Sequence, residues 1–174
     1  MSDVDVRPST RADDEERDRF VRGVPGGTFF HLAGWRRAVE RVMRHAGRDL
    51  LARRDGELVG VLPLMACRGW RGRTNLISVP YAVYGGAVGT DGSVRTALFQ
   101  EAERQALRAS VGHLELRCAE DPGLALPASS LYSTFRRDLP AEPGQVLALT
   151  PKKARAEARM ARDRHGLELD LGPW

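Results

Sequence analysis

The residues best suited to bind a ligand lie in a short segment rich in tyrosine and glycine. In this segment Tyr81 and Tyr84 precede Gly85 and Gly86. Tyrosine hydroxyls donate and accept hydrogen bonds, and paired glycines after a strand let a ligand or another backbone segment approach closely. The pattern predicts a ligand site here, with a β-bulge carrying a half-buried pair of tyrosines as the structural alternative.

Four polar residues elsewhere could contribute to such a site. His31 precedes the first clear helix, where its imidazole either bonds to the backbone or points into a cleft as a ligand or base. Glu115 and Arg117 alternate on one face of a predicted strand, which indicates an ion pair or the wall of an open cleft. Asp91 stands just before a predicted helix and is typical of a turn and helix cap.

The strongest charge pattern lies near the end of the chain. Residues 151–165 contain six Lys or Arg and two acidic residues. Spacings of three and four place four of these basic residues on one face of a predicted helix: Lys152, Arg155, Arg159 and Arg162. This face suits the phosphates of a tRNA, a nucleotide sugar or a CoA pyrophosphate. The alternative is a solvated helix surface.

Several kinds of site are excluded by the motifs the chain lacks. It has no nucleophile-elbow, zinc-protease, Walker A, CxxC or paired-carboxylate motif. Its two cysteines, Cys67 and Cys118, lie far apart in apolar runs and predict buried side chains rather than a disulfide framework or zinc knuckle. No metal site is predicted. The glycines of residues 23–27 indicate a plain loop, because they do not follow a strand.

Composition favours an ordinary globular protein of 174 residues, with 42% apolar and 29% charged residues. No apolar run approaches the length of a membrane span, and the acidic N-terminus has no signal-peptide core. We therefore expect a cytoplasmic protein with reduced cysteines. The net charge of +4 comes from 27 Lys or Arg against 23 Asp or Glu and indicates an anionic partner only weakly.

Periodicity predicts the elements that must position these residues. Helices are predicted over residues 11–22, 32–46 (ended by Gly47), 93–110 and 151–165. Strands are predicted over residues 50–54, 57–67, 75–79, 113–118, 131–139 and 167–171, with Asp55-Gly56 as a tight hairpin turn. This order predicts a mixed α/β fold, with a mostly antiparallel sheet flanked by helices. It excludes a doubly wound nucleotide fold.

The tail predicts a second folding unit. Residues 141–144 form a Pro/Gly linker, and Thr150-Pro151 begins a fresh helix that leads into the predicted strand 167–171. We expect a domain over residues 1–140, then a linker, basic helix and first strand of a truncated second domain over residues 141–174. The alternative is a terminal strand that joins the first sheet. An unpaired strand and an alanine-rich helix face would favour self-association.

Three stretches together carry a family resemblance: TFFHLAGWRRAV, LISVPYAVYGGAV and TPKKARAEARMARDRHGLEL. The chain resembles the Fem-type branch of the GNAT-like acyltransferases over about residues 28–171. It is most similar to the FemAB-like proteins associated with PEP-CTERM and exopolysaccharide systems. Such proteins have two tandem GNAT-like domains, and this chain is similar to the first.

The resemblance implies transfer of an acyl or aminoacyl group to an amine in cell-envelope or exopolysaccharide biosynthesis. The implied donor is acyl-CoA or aminoacyl-tRNA, with no permanently bound cofactor. The implied acceptor is a small molecule or a cell-envelope precursor, and neither DNA nor a membrane span is expected. Residues 84–91 look like the lining of the acceptor cleft, and Asp91 looks like the acidic residue that accepts the amine proton. Substrate-binding roles are assigned to His31, Tyr81, Tyr84, Gly85, Gly86 and Arg117.

Two departures from the family keep other functions open. The usual acetyl-CoA pyrophosphate loop and the second domain are both absent from the sequence given. One alternative is a non-catalytic module that binds a nucleotide-linked or nucleic-acid ligand through the basic helix. Another is an acetyl-CoA-dependent N-acetyltransferase.

Overall fold

The computed structural model describes residues 3–69, 72–129, 134–135 and 137–168. The chain divides into two compact units, Met1–Ala125 and Leu126–Trp174. The first unit contains every described strand and three of the five described helices. Among the described residues, no helix is both long and apolar enough to cross a membrane.

Three helices of the first unit confirm the sequence prediction, with ends that differ by a few residues. A short 3-10 turn leads into the first helix, where several acidic residues lie at the positive end of the helix dipole. Leu32 is the N-cap of the second helix and Asp91 the N-cap of the third. The helices are α1 (Asp14–Gly23), α2 (Ala33–Met43) and α3 (Gly92–Arg108).

The prediction that Gly47 ends α2 is wrong. The helix ends at Met43, and Arg44 takes the left-handed C-cap conformation with φ 57°. Gly47 instead lies in a strand, where its N–H donates to Glu40 Oε1 at 3.2 Å. A Cβ at Gly47 would lie 2.7 Å from that oxygen and 2.8 Å from Arg36 Cδ. A side chain at this position would displace Glu40 or Arg36, so Gly47 packs closely against α2 and does not end it.

In the described part of the chain, eight strands form two four-stranded sheets. The first sheet has the order β1-β3-β4-β7 and the second the order β2-β5-β6-β8. Strands β6 and β8 are parallel, and the other described pairs are antiparallel. The strands are β1 (Asp5–Pro8), β2 (Ala46–Gly47), β3 (Leu50–Arg54), β4 (Glu57–Leu62), β5 (Met65–Arg68), β6 (Thr74–Ile77), β7 (Val88–Gly89) and β8 (Leu114–Glu115).

The hairpin between β3 and β4 is confirmed, but the predicted strand 57–67 is divided between the two sheets. Asp55 and Gly56 both have positive φ, 51° and 86°, as a type I′ turn requires. Pro63 has no N–H to donate to a ladder, and the Leu64 N–H donates to Asp49 Oδ1 at 2.8 Å. The chain therefore passes from the first sheet to the second at these two residues.

A ten-residue loop interrupts the strand that returns beside β4 and β5. β5 pairs with β6, and β4 pairs with β7. β6 and β7 are therefore two parts of one returning strand, from which residues 78–87 leave the ladder. We call residues 78–87 the tyrosine loop, because they include Tyr81 and Tyr84. The predicted strand 75–79 ends at Ile77, where this loop begins.

Helices cover both faces of the first sheet. Alternate residues of β3 point to opposite faces, so Leu50 packs with α3 through Leu98, and Leu51 packs with α1 through Val21. A Cβ on Gly60 would lie 2.4 Å from Val94, which shows how closely α3 approaches β4. A third cluster joins α2 to β5. The mixed α/β fold with a mostly antiparallel sheet flanked by helices is thereby confirmed.

The second unit contains two helices, α4 (Pro143–Leu149) and α5 (Lys152–His165). The predicted basic helix is confirmed as α5, but the predicted linker is wrong at Pro143 and Gly144, which form the first turn of α4. Proline is accepted there because the first N–H groups of a helix have no intrahelical acceptor. Pro151 is the N-cap of α5 rather than its first helical residue, since Thr150 closes α4.

Two predicted strands near the end of the chain are only partly covered by the structure. Residues 131–133 and 136 of the predicted strand 131–139 lie outside the described residues, and its other residues are not in a strand. Residues 169–171 of the predicted strand 167–171 also lie outside the described residues. The division into domains 1–140 and 141–174 stays a prediction.

Candidate functional site

The tyrosine loop is an unusual piece of backbone held by many contacts. Tyr81 and Tyr84 both have positive φ, 65° and 58°. A bulky side chain rarely adopts this conformation, and residues held in it cluster at functional sites. Tyr81 is exposed and Tyr84 is half-buried. The loop is therefore the strongest structural candidate for a ligand site among the described residues.

His31 clamps the end of the tyrosine loop from a short 3-10 turn, Phe29–His31. Its ring is buried, and Nε2 lies 2.8 Å from the Gly86 carbonyl oxygen. The Thr28 N–H donates to Nδ1 at 3.2 Å, so Nδ1 is unprotonated and Nε2 donates to Gly86. Burial lowers the pKa of His31 and favours this neutral tautomer. Of the two predicted roles, the structure places His31 in the backbone-bonding one.

Arg117 holds the beginning of the tyrosine loop. Its Nη1 donates to the Ala82 carbonyl at 2.8 Å and to the Val79 carbonyl at 3.2 Å. Its Nε donates to Glu115 Oε1 at 2.7 Å, which confirms the predicted ion pair. The backbone N–H of Arg117 donates to Ser78 Oγ at 2.9 Å. The guanidinium therefore fixes two loop carbonyls while remaining about one-third exposed.

Close packing explains the paired glycines. A Cβ on Gly85 would lie 2.2 Å from a methyl group of Val79, and a Cβ on Gly86 would lie 2.8 Å from Cys118 Sγ. The Gly85 N–H also donates to the Arg117 carbonyl at 2.8 Å. Among the described residues, side chains of the protein approach these glycines closely and account for the lack of a Cβ there. Their role in substrate binding stays a prediction.

Tyr81 extends from the loop toward the region that follows α2. Its hydroxyl lies 2.9 Å from His45 Nε2, and the two rings stack with centroids 5.9 Å apart. Tyr84 contributes its carbonyl, which accepts from Thr28 Oγ1 at 3.2 Å. Sequence reasoning missed the contacts of His45 and Thr28, because residue types alone do not show which distant residues they meet. Only the fold brings them to the loop.

Asp91 caps the first turn of α3. Its Oδ1 accepts from the Val94 N–H at 3.1 Å and from Ser93 Oγ at 2.6 Å, and its Oδ2 accepts from Arg54 Nη1 at 2.9 Å. The Ser93 hydroxyl and then the Arg54 guanidinium hold the pKa of this carboxyl well below its usual range. A helix cap is one of the two roles that the sequence predicts for Asp91. The catalytic role of Asp91 stays a prediction.

A network of buried charged residues bonds to the backbone of His31. The sequence did not predict this network. Arg17, fully buried in α1, donates through Nε to the His31 carbonyl at 2.8 Å and through Nη1 to Asp49. Arg36 of α2 reaches the same Asp49 carboxylate at 3.5 Å and also pairs with Asp14. Only the fold shows that Arg17 points into the core.

An open groove of about 680 Å³ lies between α1 and the turn of the β3–β4 hairpin. Phe20, Val24 and Leu58 give it an apolar floor, and Thr90 lies at one end. No residue assigned to the site from the sequence lines this groove. Among the described residues, no three His, Cys, Asp or Glu side chains are grouped to hold a metal ion.

The basic face of α5, formed by Lys152, Arg155, Arg159 and Arg162, lies in the second unit. Three of the four side chains are exposed, and Arg155 is half-buried. The structure therefore brings six predicted residues together around the tyrosine loop: His31, Tyr81, Tyr84, Gly85, Gly86 and Arg117. Asp91 lies at the start of α3, where its side chain bonds to Arg54, Ser93 and Val94 instead.

Comparison with known proteins identifies the architecture. No protein-family model matches the chain, and no curated protein matches it. A GNAT family acetyltransferase from Staphylococcus aureus matches with TM-score 0.50 and 12% identity, over 78% of this chain and 100% of that chain. A ribosomal-protein-alanine N-acetyltransferase from Brucella melitensis biovar Abortus matches with TM-score 0.51 and 18% identity, over 78% and 99% of the two chains.

A crystal structure of FemX also matches, with TM-score 0.46 and 21% identity, over 62% of this chain and 25% of that chain. A match at this level does not distinguish the Fem branch from other proteins of the same architecture. The two acetyltransferases match nearly their whole length at low identity, which establishes the fold without the substrate. The chain has the GNAT acetyltransferase fold.

Proposed function

We propose that this chain is the first GNAT-like domain of a Fem-type N-acyltransferase. It would transfer an activated acyl or aminoacyl group to the amine of a small molecule or cell-envelope precursor in the cytoplasm. The observation that carries the proposal is the GNAT fold, whose neighbours include an enzyme named for N-acetylation of an alanine amine. The Fem-type assignment rests on the sequence resemblance alone.

The chain's own residues would act mainly by orienting the reactants. An amine that attacks an acyl ester or thioester gains most from being held in line with the carbonyl carbon. The tyrosine loop supplies a rigid wall for this purpose, because His31 and Arg117 fix three of its carbonyl groups. Tyr81 and Tyr84 would then contact the acceptor.

Asp91 would act by positioning the start of α3 rather than by accepting a proton. Its carboxylate is engaged by Arg54, Ser93 and the α3 backbone, and its lowered pKa makes it a weak base. The geometry supports a positioning role at the start of α3.

The donor is proposed as acyl-CoA or aminoacyl-tRNA. The Asp91 carboxylate disfavours the binding of an anion at the start of α3. It already accepts a first-turn N–H of the helix, and its negative charge would repel the anion. This observation favours a donor that is not held through a pyrophosphate at that helix end. Any acyl-CoA donor, acetyl-CoA included, requires a different site for its pyrophosphate.

A second candidate function is a non-catalytic binding module. The specific observation in its favour is that the polar atoms of His31, Arg117 and Asp91 bond to the chain itself. Such a module would bind ligand without turnover.

Donor binding and transfer separate the two functions. The 174-residue chain is incubated with acetyl-CoA or aminoacyl-tRNA and a panel of primary amines, and the acylated amine is measured by mass spectrometry. The transferase proposal expects saturable donor binding and a product whose rate falls in Tyr84→Phe. Ligand binding by the folded chain without product from either donor would support the binding module instead.

A further inference from the structure

We propose that the basic face of α5 binds the phosphate backbone of a single nucleic-acid strand. The face consists of Lys152, Arg155, Arg159 and Arg162. The proposal rests on the geometry and charge of α5 and does not depend on the transfer reaction.

The four side chains form a continuous line along the helix. At about 100° per residue they fall within an arc of roughly 80°, in which no acidic residue lies. Arg162 lies ten residues after Lys152, which is about 15 Å along the helix axis. The basic face is therefore narrow and long. This shape matches an extended polyanion that lies along the surface of the helix.

Most of this charge has no counterpart in the described chain. Within α5, Lys153 pairs with Glu157 and Arg162 pairs with Asp163. Neither Lys152 nor Arg155 nor Arg159 forms an ion pair with a described residue. Like charges at spacings of three and four destabilise an isolated helix, so this row lowers the stability of the free helix. A bound polyanion would reverse that effect.

The beginning of α5 adds a second, independent feature. It has no acidic residue in its first turn and no side-chain hydrogen bond from its N-cap, Pro151. Lys152 and Lys153 therefore add positive charge at the positive end of the helix dipole. Helix starts with uncapped N–H groups attract phosphates. Both features favour the same kind of ligand.

The length and composition of α5 favour a nucleic-acid strand over other phosphate ligands. A diphosphate offers two adjacent phosphate groups, whereas a nucleic-acid strand continues its row of phosphates along the whole face of about 15 Å. Membrane-surface helices place Trp, Phe or Leu opposite their charges. Apart from its charged residues and His165, α5 offers four alanines and Met160.

The test measures binding of the 174-residue chain to labelled single-stranded RNA by fluorescence anisotropy over a salt series. Each phosphate contact on a single strand contributes about −0.7 to the slope of log K against log salt, so four contacts predict about −2.8. Arg155→Gln/Arg159→Gln removes two contacts, and we expect the slope to change by about 1.4. Glutamine is a good helix former, and circular dichroism checks that α5 persists.

The matched control is Lys153→Gln/Arg164→Gln, which removes the same charge from the opposite side of α5. We expect its slope to equal that of the unaltered chain. Equal changes of the salt slope in both double variants would overturn the proposal. They would show that RNA responds only to the net charge of the chain and not to this face of α5. Competition by uridine diphosphate at equal phosphate concentration, or preferential binding to phosphatidylglycerol vesicles, would also overturn it.

Discussion

His31 links two parts of the molecule through one neutral imidazole. Nδ1 accepts from Thr28 and Nε2 donates to the Gly86 carbonyl, so a proton added at Nδ1 breaks the first bond. Burial is the main cause of the lowered pKa of His31, and the nearby Arg17 charge adds to it. Protonation would therefore remove the bond from Thr28 and place a charge in a buried site, while the bond to Gly86 would remain.

Because the folded-state pKa of His31 is lowered, the unfolded chain binds its proton first as the pH falls. We expect the free energy of unfolding to decrease from about pH 7.5 to about pH 5.5, by at most ~1.4 kcal/mol per pH unit from this residue. Urea unfolding at each pH measures the effect. His31→Gln, which does not titrate, should show a flatter pH dependence over the same interval. An identical pH dependence in both proteins would contradict the clamp.

Asp91 can be tested by a pair of substitutions that separate capping from proton transfer. Asparagine is as good an N-cap as aspartate, whereas alanine is poor. We expect Asp91→Asn to keep the melting temperature and most of any transfer activity, and Asp91→Ala to lower the melting temperature. A large loss of transfer in Asp91→Asn with unchanged thermal stability would restore the role of proton acceptor.

At the scale of elements, the tyrosine loop depends on glycine packing. A Cβ at Gly85 meets the Val79 methyl groups, whereas a Cβ at Gly34 in α2 meets nothing within 4 Å. We expect Gly85→Ala to destabilise the chain by about 1–3 kcal/mol through overpacking. Gly34→Ala should be neutral or stabilising by less than about 1 kcal/mol. Chemical denaturation of both variants measures the difference, and equal stabilities would show that the loop tolerates displacement.

The elements that the sequence predicted well are those whose signals are local. The apolar stripe of α2 and the Asp55-Gly56 turn are complete within a few consecutive residues. The division of the strand at Pro63 depends instead on Asp49, which accepts the Leu64 N–H from a distant part of the chain. The loop contacts of His31 and Arg117 are equally non-local. Residue types could nominate these positions, but only packing could assign their partners.

At the scale of the whole molecule, the described part of the second unit differs from the first unit in its burial. Of the residues described between 126 and 168, none is buried. Several large apolar side chains are mostly exposed instead: Phe135, Leu139, Leu147 and Leu167. Exposed apolar surface of this kind is typical of an association site. The first unit differs, because its helices bury the apolar residues on both faces of its first sheet.

We expect the 174-residue chain to self-associate as its concentration rises. Sedimentation velocity over a concentration series measures this, and Leu139→Ser/Leu147→Ser should shift the chain toward monomer. Val42→Ser, which removes a comparably exposed side chain from the first unit, serves as the control. A monomer at every concentration would contradict the expectation.

We propose that this GNAT-fold chain promotes acyl transfer to an amine. The most direct measurement is the rate of amine acylation, followed by mass spectrometry, with acetyl-CoA and aminoacyl-tRNA as donors in parallel. The account predicts a chain-dependent product that decreases when Arg117→Gln releases the Val79 and Ala82 carbonyls of the tyrosine loop. Absence of product and of donor binding with both donors, in a chain whose fold is intact by circular dichroism, would contradict it.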